Sequence, residues 1–310
     1  MASDDQRIDY AYFQGKIIPT NEANISIKTH ALQYGTGCFC GIRAYWNEKE
    51  NQLYAFRLKD HYKRFHDSAK ILMMKPKLSI EELIEITRKL LAKNEYRQNS
   101  YIRPIMYKSA LALSPRLHDI EDDIAIYTLP MDDYLDINNG LKCKVSSWIR
   151  ITENMIPTRS KATGGYINSA LAKSEAILNG YDEAIFLDHN GNISEGSAEN
   201  IFIVRDGKLI TPSFTDSILE GITRRSVIEI AKNEMKIDIQ ERTIGRSELY
   251  IADEAFFCGT GVQIAWIKEI DKRVIGKGEI GPITKKIRET YFNIVTGNNK
   301  SYKNWLTEVY

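Results

Sequence analysis

Residues 183–212 read EAIFLDHNGNISEGSAENIFIVRDGKLITP, and this stretch decides the fold class. Short apolar runs rich in β-branched and aromatic residues are separated by two polar turns. The turns carry Asn190-Gly191 and Asp206-Gly207, dipeptides typical of tight connections between antiparallel strands. The stretch therefore predicts consecutive β-strands in the second half of the chain.

Helical patterns lie on both sides of this β stretch. Apolar spacing predicts helices at about 166–179, 219–235 and 282–296, with short strands near 237–243 and 254–258. Strand runs mixed with helices, without a regular β-α alternation, indicate α+β architecture and argue against a doubly wound parallel sheet.

The first half repeats this mixture of strands and helices. A hairpin is predicted about Gln14-Gly15, and helical periodicity covers 59–72 and 79–94, the second with Ser79 as N-cap. The acidic, turn-rich stretch 131–140 is predicted to link two domains. We therefore expect a small N-terminal α+β domain at 1–130 and a larger C-terminal α+β domain at 141–310.

Composition limits the classes of partner. The 310 residues include 42 Lys and Arg against 41 Asp and Glu, a formal charge of +1, with 43% hydrophobic residues. This balance is that of a soluble globular protein, and it favours neither nucleic acid nor a membrane surface as a partner. We expect small-molecule ligands, self-association and a cytoplasmic location, because the acidic start lacks the features of a signal peptide.

The cysteines give no sign of a metal site. Cys38, Cys40, Cys143 and Cys258 are few and scattered, and the Cys-x-Cys pair has no second pair of ligands nearby. We expect small buried thiols, no metal and no disulfide framework.

Lys161 is the first candidate for chemistry. It lies in TRSKATGGYINSA, residues 158–170, where small residues and glycines leave room for a bulky group. An amine with a lowered pKa attacks carbonyl groups and forms Schiff bases with pyridoxal phosphate. Taken alone, a loop lysine is more often a solvated surface residue, so the assignment needs support from elsewhere in the chain.

That support comes from features suited to a phosphate and a pyridine. Gly221, Ile222 and Thr223 open a predicted helix, where free backbone N–H groups favour an anion. Thr260 lies in a second small-residue turn, GTGV at 259–262, and Arg57 offers a bidentate charge. Glu195 ends a predicted strand among small residues, where a carboxylate can pair with a protonated ring nitrogen.

Together these segments resemble the branched-chain aminotransferases, pyridoxal-phosphate enzymes of fold type IV, whose fold is also that of the D-amino acid aminotransferases. The resemblance covers nearly the whole chain. It rests on ALQYGTGCFCGIRAY (31–45), SKATGGY (160–166), DHNGNISEGSAENIF (188–202), LEGITR (219–224), LYIADEAFFCGTG (249–261) and GPITKKI (281–287).

The resemblance implies a role for each cofactor residue. Lys161 is implied as the Schiff-base lysine in the larger domain, and as the base that moves the proton between Cα and C4′. Glu195 is implied to keep the pyridine nitrogen protonated, and Tyr166 to bond the ring's phenolic oxygen. The remaining set, implied to hold the phosphate and the ring face, is Arg57, Leu219, Ile222, Thr223 and Thr260.

Substrate residues are implied in the same way. The turn that contains Gly261 and Val262 resembles the site of the α-carboxylate. The implied reader of glutamate's distal carboxylate comprises Tyr101, Arg103 and Tyr134, with Tyr34 from the partner subunit. Phe39 lines the pocket for an apolar side chain, and Arg43 is also assigned to substrate binding.

The chain departs from the family pattern at three positions. Cys40 stands where the family usually has Glu, close in sequence to Arg43, while Gly261 replaces Ala and Met131 replaces an aromatic residue. We expect a looser substrate pocket from these changes, with some side activity on (R)-primary amines.

The implied reaction is transamination of L-leucine, L-isoleucine and L-valine with 2-oxoglutarate, as in branched-chain amino-acid biosynthesis, by a homodimer or a higher homo-oligomer. A D-amino acid or (R)-amine aminotransferase of the same fold is the alternative, and a 4-amino-4-deoxychorismate lyase is less favoured. A non-enzymatic binding module is a further alternative, and Lys161 together with Glu195 argues against it.

Overall fold

The computed structural model describes residues 9–132 and 139–310, which belong to two compact units. Unit 1 contains Met1–Asp132, Ala162–Gly164 and Ser301–Tyr310, and unit 2 contains Asp133–Lys161 and Gly165–Lys300. Each unit combines one large β-sheet with helices, which confirms the α+β class. The predicted linker lies largely outside the described residues. The bounds 1–130 and 141–310 stay a proposal, and the last ten residues pack with the first unit.

The described part of unit 1 is built on an eight-stranded sheet with the strand order β17-β5-β4-β6-β7-β1-β2, and β3 also pairs with β6. Its strands are β1 (Tyr10–Phe13), β2 (Lys16–Pro19), β3 (Gly37–Phe39), β4 (Ile42–Asn47), β5 (Gln52–Phe56), β6 (Ser100–Lys108), β7 (Asp122–Pro130) and β17 (Leu306–Glu308). Its helices are α1 (His30–Tyr34), α2 (Leu58–Ile71) and α3 (Ile80–Lys93).

Local signals account for most of unit 1. The β1–β2 hairpin pairs Phe13 with Lys16 across the predicted turn. At the start of α3, Ser79 and Glu82 form the reciprocal capping box, which satisfies two backbone N–H groups that the helix leaves open. We did not predict β17, which adds to the edge of the sheet by pairing Leu306 with Phe56.

The described part of unit 2 is built on a nine-stranded sheet with the strand order β10-β9-β8-β15-β14-β11-β12-β13, and β16 also pairs with β15. Its strands are β8 (Leu141–Ile149), β9 (Glu183–Leu187), β10 (Ile193–Gly196), β11 (Asn200–Arg205), β12 (Lys208–Thr211), β13 (Ile239–Glu241), β14 (Glu254–Gly259), β15 (Gln263–Ile270) and β16 (Arg273–Val274). Its helices are α4 (Tyr166–Leu178), α5 (Ile222–Glu234), α6 (Arg246–Leu249) and α7 (Pro282–Val295).

The opening stretch 183–212 forms β9 to β12 as predicted. Helix α4 packs closely on this sheet because its buried face is small: Ala172 and Ala176 contact Ala184 and Phe186. Burial of this apolar surface stabilises the helix that begins immediately after the single 3-10 turn Thr163–Gly165. We did not predict β15, whose apolar run 263–270 pairs with β14 on one side and, in parallel, with β8 on the other.

In the described part of the chain, no helix is both long and apolar enough to cross a membrane. Cys38, Cys40, Cys143 and Cys258 are buried and free. Within residues 9–132 and 139–310, no three His, Cys, Asp or Glu side chains are grouped so that they could hold a metal ion.

Candidate active site

Lys161 and Tyr166 form a hydrogen-bonded pair in unit 2. The Lys161 Nζ donates to the Tyr166 Oη at 2.5 Å, and both side chains are half-buried. Tyr166 is the first residue of α4, so the start of the helix holds its hydroxyl in place. The amine is therefore neither a freely solvated surface group nor part of an apolar core.

Glu195 is buried in β10, and both oxygens of its carboxylate accept from donors. The Arg150 Nη2 lies 2.8 Å from its Oε1, while its Oε2 accepts from the Asn200 Nδ2 at 3.0 Å and from the Leu219 N–H at 3.1 Å. Burial raises the pKa of Glu195 above its ordinary value, and Arg150, the Leu219 N–H and Lys161 oppose that rise. A carboxyl group in this state gains stability when a further cationic N–H group binds to it.

Arg150 and Asn200 hold the Glu195 carboxylate, and neither was predicted from the sequence. Arg150 follows β8 directly, and Asn200 begins β11 five residues after Glu195. The sequence carries a weak signal for Asn200. Its side-chain amide lies close in sequence to the candidate carboxylate and can donate a hydrogen bond to it. No local signal connects Arg150 to Glu195, since the contact depends on the pairing of β8, β9 and β10 in one sheet.

Gly221 lies between Leu219, whose N–H contacts the Glu195 carboxylate, and the start of α5. It is the N-cap residue of the helix, and a Cβ at this position would lie 2.0 Å from the Asn200 Oδ1. Only glycine therefore allows Asn200 to donate to both Glu195 and the Leu219 carbonyl. The helix begins at Ile222 and not at 219 as predicted, which leaves Leu219 in the preceding loop.

The first turn of α5 presents the backbone of Ile222 and Thr223, both buried. The first N–H groups of a helix have no partner within the helix, and together with the helix dipole they suit a phosphate. Thr260, Gly261 and Val262 form the turn that joins β14 to β15, and Val262 is fully buried.

These residues of unit 2 fit pyridoxal phosphate. They offer an amine for its aldehyde carbon, a hydroxyl for its phenolic oxygen, a buried carboxylate for its pyridine nitrogen, and a helix N-terminus for its phosphate. The carboxylate carries the strongest part of the fit. Glu195 is buried, and Arg150, Asn200 and the Leu219 N–H contact its oxygens and favour the charged carboxylate that a protonated ring nitrogen needs.

Three of the predicted substrate residues lie together in unit 1. The Arg103 guanidinium stacks 4.5 Å from the centre of the Phe39 ring and donates its Nε and Nη2 to the Tyr101 hydroxyl. Gly41 makes room for this arrangement, because a Cβ there would lie 2.2 Å from the same hydroxyl. A cation and an apolar ring are thus presented side by side.

The other predicted residues of unit 1 have different contacts. Arg43 is buried and donates to the backbone carbonyls of Met131 and Asp132. Tyr34 is partly exposed on α1 and donates to the Leu113 carbonyl. Arg57 is the N-cap residue of α2. The predicted residue Tyr134 lies outside the described residues.

Cys40 contacts helix α2, where we had expected its effect to be on the surroundings of Arg43. The Cys40 Sγ lies 3.2 Å from the His61 Nδ1 and accepts from the Arg64 Nη2 at 3.3 Å, both on α2. Successive side chains of an extended segment point to opposite sides, so Cys40 faces α2 while Phe39 faces Arg103. The departure from Glu therefore changes the contact with α2.

Glu199 is a further buried carboxyl group of unit 2 that we had not singled out. Burial and the neighbouring carboxylate of Glu183 raise its pKa to about 8, against the opposing effects of the Ala198 N–H, Lys173 and Lys161. Lys173 itself lies 2.6 Å from Glu183. Glu199 therefore holds a proton at pH values where an exposed glutamate has lost it.

This proton makes stability depend on pH. Between about pH 5 and 8 the folded chain keeps a proton on Glu199 that the unfolded chain has released, so the free energy of unfolding falls as pH rises. The slope from one such group is at most about 1.4 kcal/mol per pH unit. We expect Glu199→Gln to flatten this slope in urea titrations, whereas Glu234→Gln, at an exposed position, leaves it unchanged. Equal slopes in Glu199→Gln and the wild type would contradict the assignment.

Comparisons with known proteins identify the family of this chain. Residues 37–270 match amino-transferase class IV. The probable branched-chain-amino-acid aminotransferase of Aquifex aeolicus is 53% identical over 303 residues, which cover 98% of this chain and 97% of that protein. The crystal structure of branched-chain aminotransferase from Thermoproteus uzoniensis with norvaline is 44% identical with a TM-score of 0.94, covering 98% of this chain and 100% of that one. The structure of branched-chain amino acid aminotransferase from Thermobaculum terrenum in its PLP-form is 39% identical in sequence. It superposes with a TM-score of 0.92 and covers 99% of this chain and 100% of that one.

Proposed function

The chain belongs to the class IV aminotransferases, and from this premise we propose that it is a pyridoxal-phosphate-dependent branched-chain-amino-acid aminotransferase. Its donors are L-leucine, L-isoleucine and L-valine, its acceptor is 2-oxoglutarate, and its products are the branched-chain 2-oxo acids and L-glutamate. The observation that carries the proposal is the hydrogen-bonded pair of Lys161 and Tyr166 in the same unit as buried Glu195. The cytoplasmic location stays a proposal from the sequence.

The residues of unit 2 divide the chemistry among them. When bound, pyridoxal phosphate supplies an electron sink for the negative charge that develops at the substrate Cα. Lys161 would attach the cofactor, and its free amine would remove the proton from the substrate Cα. Tyr166 orients that amine through their hydrogen bond. Glu195, held by Arg150 and Asn200, provides the negative charge that stabilises a protonated ring nitrogen.

The substrate class is supported by the stack in unit 1. Phe39 offers an apolar surface for a branched side chain, and Arg103 offers a bidentate cation for the distal carboxylate of glutamate. A site that accepts both leucine and glutamate needs both kinds of surface. The roles of Tyr34, Arg43 and Tyr134 are proposed from the family resemblance alone.

A donor panel tests the proposed function. We expect the highest kcat/KM with the three branched-chain L-amino acids and 2-oxoglutarate, and low values with D-leucine and (R)-1-phenylethylamine. Arg103→Met is expected to weaken the use of 2-oxoglutarate on the order of 10²-fold, since the ionic partner of its distal carboxylate is lost, while the half-reaction with L-leucine changes little. Preference for the D-amino acid or the (R)-amine would replace the proposal with the other aminotransferase of this fold.

We also propose that the active species is a homodimer. Unit 1 exposes large apolar side chains on two segments, and the His30 N–H joins these segments by donating to the Ala110 carbonyl. The exposed residues, called here the apolar patch, are Ile27, Leu32, Leu111 and Leu113, of which Ile27 is 84% and Leu113 80% exposed. Tyr34 borders the patch through its bond to the Leu113 carbonyl. An exposed cluster of this kind is typical of a surface that another chain covers.

Sedimentation velocity checks the dimer. We expect the wild type to sediment as a dimer or a larger assembly, and Leu113→Asp to shift it towards the monomer with loss of turnover, because a charge would be buried in the interface. Val274→Asp, an exposed position of unit 2, serves as the control and is expected to keep the wild-type assembly. A fully active monomer would rule the proposal out.

A further inference from the structure

Arg57 has an unusual setting in unit 1. Its side chain is buried, and its backbone has φ 47° and ψ 41°, the left-handed conformation that a non-glycine residue rarely adopts. The residue is nevertheless the N-cap of a 14-residue helix, α2. Such a conformation persists only where surrounding contacts hold it. The Asp60 carboxylate of α2 lies 3.7 Å from the Arg57 Nε, and Trp305 provides two further contacts.

Trp305 holds both the backbone and the side chain of Arg57. The Arg57 N–H donates to the Trp305 carbonyl at 2.6 Å, and the Arg57 Cζ lies 3.7 Å from the centre of the indole ring. At this distance the guanidinium plane packs on the aromatic face, the arrangement favoured for an arginine and a tryptophan.

Trp305 is itself held firmly. Its ring meets those of Phe56 and Tyr302 edge to face, with ring centres 6.0 Å and 4.5 Å apart, and all three side chains are buried. The next residue, Leu306, begins β17 and pairs with Phe56 of β5. The indole is therefore a rigid platform set by the sheet.

We propose that Trp305 is a positioning residue for Arg57 and thereby strengthens binding of the cofactor's phosphate group. The inference rests on the proposed function together with the family resemblance, which implies Arg57 as a phosphate ligand. A guanidinium stacked on a fixed ring loses little further freedom when it donates two parallel bonds to a phosphate. Without the ring the guanidinium moves more freely, so the Arg57 side chain loses more conformational entropy when it binds the phosphate.

The experiment measures dissociation constants of the apoenzyme for two ligands, pyridoxal phosphate and pyridoxal, which lacks the phosphate. We expect Trp305→Leu to raise Kd for pyridoxal phosphate about tenfold and to leave Kd for pyridoxal unchanged. Trp305→Phe, which keeps an aromatic face and the fold, is expected to raise the first value by a smaller factor. Trp46→Leu is the matched control, because the Trp46 ring centre lies 5.5 Å from the Cζ of a different arginine of the same unit, Arg97.

A double-variant comparison shows whether Trp305 acts through Arg57. Once Arg57→Met has removed the guanidinium, adding Trp305→Leu is expected to raise Kd for pyridoxal phosphate no further. Additive effects, or equal changes in the Kd values of both ligands, would overturn the inference and leave Trp305 with a purely structural role. Failure of the proposed function looks different, because the wild type itself would then not bind pyridoxal phosphate.

Discussion

Lys161→Ala is expected to lower kcat/KM for L-leucine with 2-oxoglutarate by at least about 10³-fold, within the range that loss of a general base costs. The variant should also lose the visible absorbance that a lysine gives when it binds pyridoxal phosphate covalently. Both losses have one physical cause, since the same amine attaches the cofactor and removes the Cα proton. Absorbance spectra and steady-state kinetics of the purified protein measure them.

Two control variants distinguish the nucleophilic role of the Lys161 amine from the effect of its positive charge. Lys161→Arg keeps a cation beside Tyr166 and Glu195 but offers no nucleophile, and we expect it to be as inactive as Lys161→Ala. Lys59→Ala changes a lysine that is 77% exposed at its side chain and should keep full activity. Substantial turnover in Lys161→Arg would assign to Lys161 only an electrostatic effect, and a wild type without the absorbance band after adding pyridoxal phosphate would contradict the cofactor.

Glu195→Gln is expected to retain the cofactor and to lose turnover by a factor on the order of 10² or more, as for other single electrostatic contacts at a developing charge. A neutral amide cannot hold a ring nitrogen protonated, so the negative charge that develops at Cα is less well stabilised. The substitution also leaves Arg150 buried without its carboxylate partner, a cost that appears in stability. Turnover per bound cofactor therefore has to be measured beside thermal unfolding.

Glu254→Gln provides the matched control for Glu195→Gln. Glu254 is another buried carboxylate of unit 2, and it accepts from the Ile283 and Thr284 N–H groups at the start of α7. Its loss should lower stability, because it caps a helix, and leave the turnover of the folded protein unchanged. If Glu195→Gln resembles Glu254→Gln in both respects, Glu195 has no part in catalysis.

The sequence by itself determined the features that depend on neighbouring residues. The hairpin turns, the capping box of α3 and the start of α4 follow from short-range chemistry, and each lies close to its predicted place. Lys161 and Glu195 were chosen as candidates in the same way, since each stands among small residues at the end of a loop or strand, and their catalytic roles stay proposals. Their types and settings limit the chemistry without any knowledge of distant contacts.

Only the tertiary structure decided which distant residues complete these features. Arg150 reaches Glu195 because β8 and β9 pair in parallel and β10 returns beside β9, and Trp305 reaches Arg57 because β17 adds to the edge of the first sheet. Cys40 faces α2 because of its place in an extended segment packed on that helix. Which strands pair depends on the burial of side chains over the whole unit, so the sequence of one strand does not identify its partner.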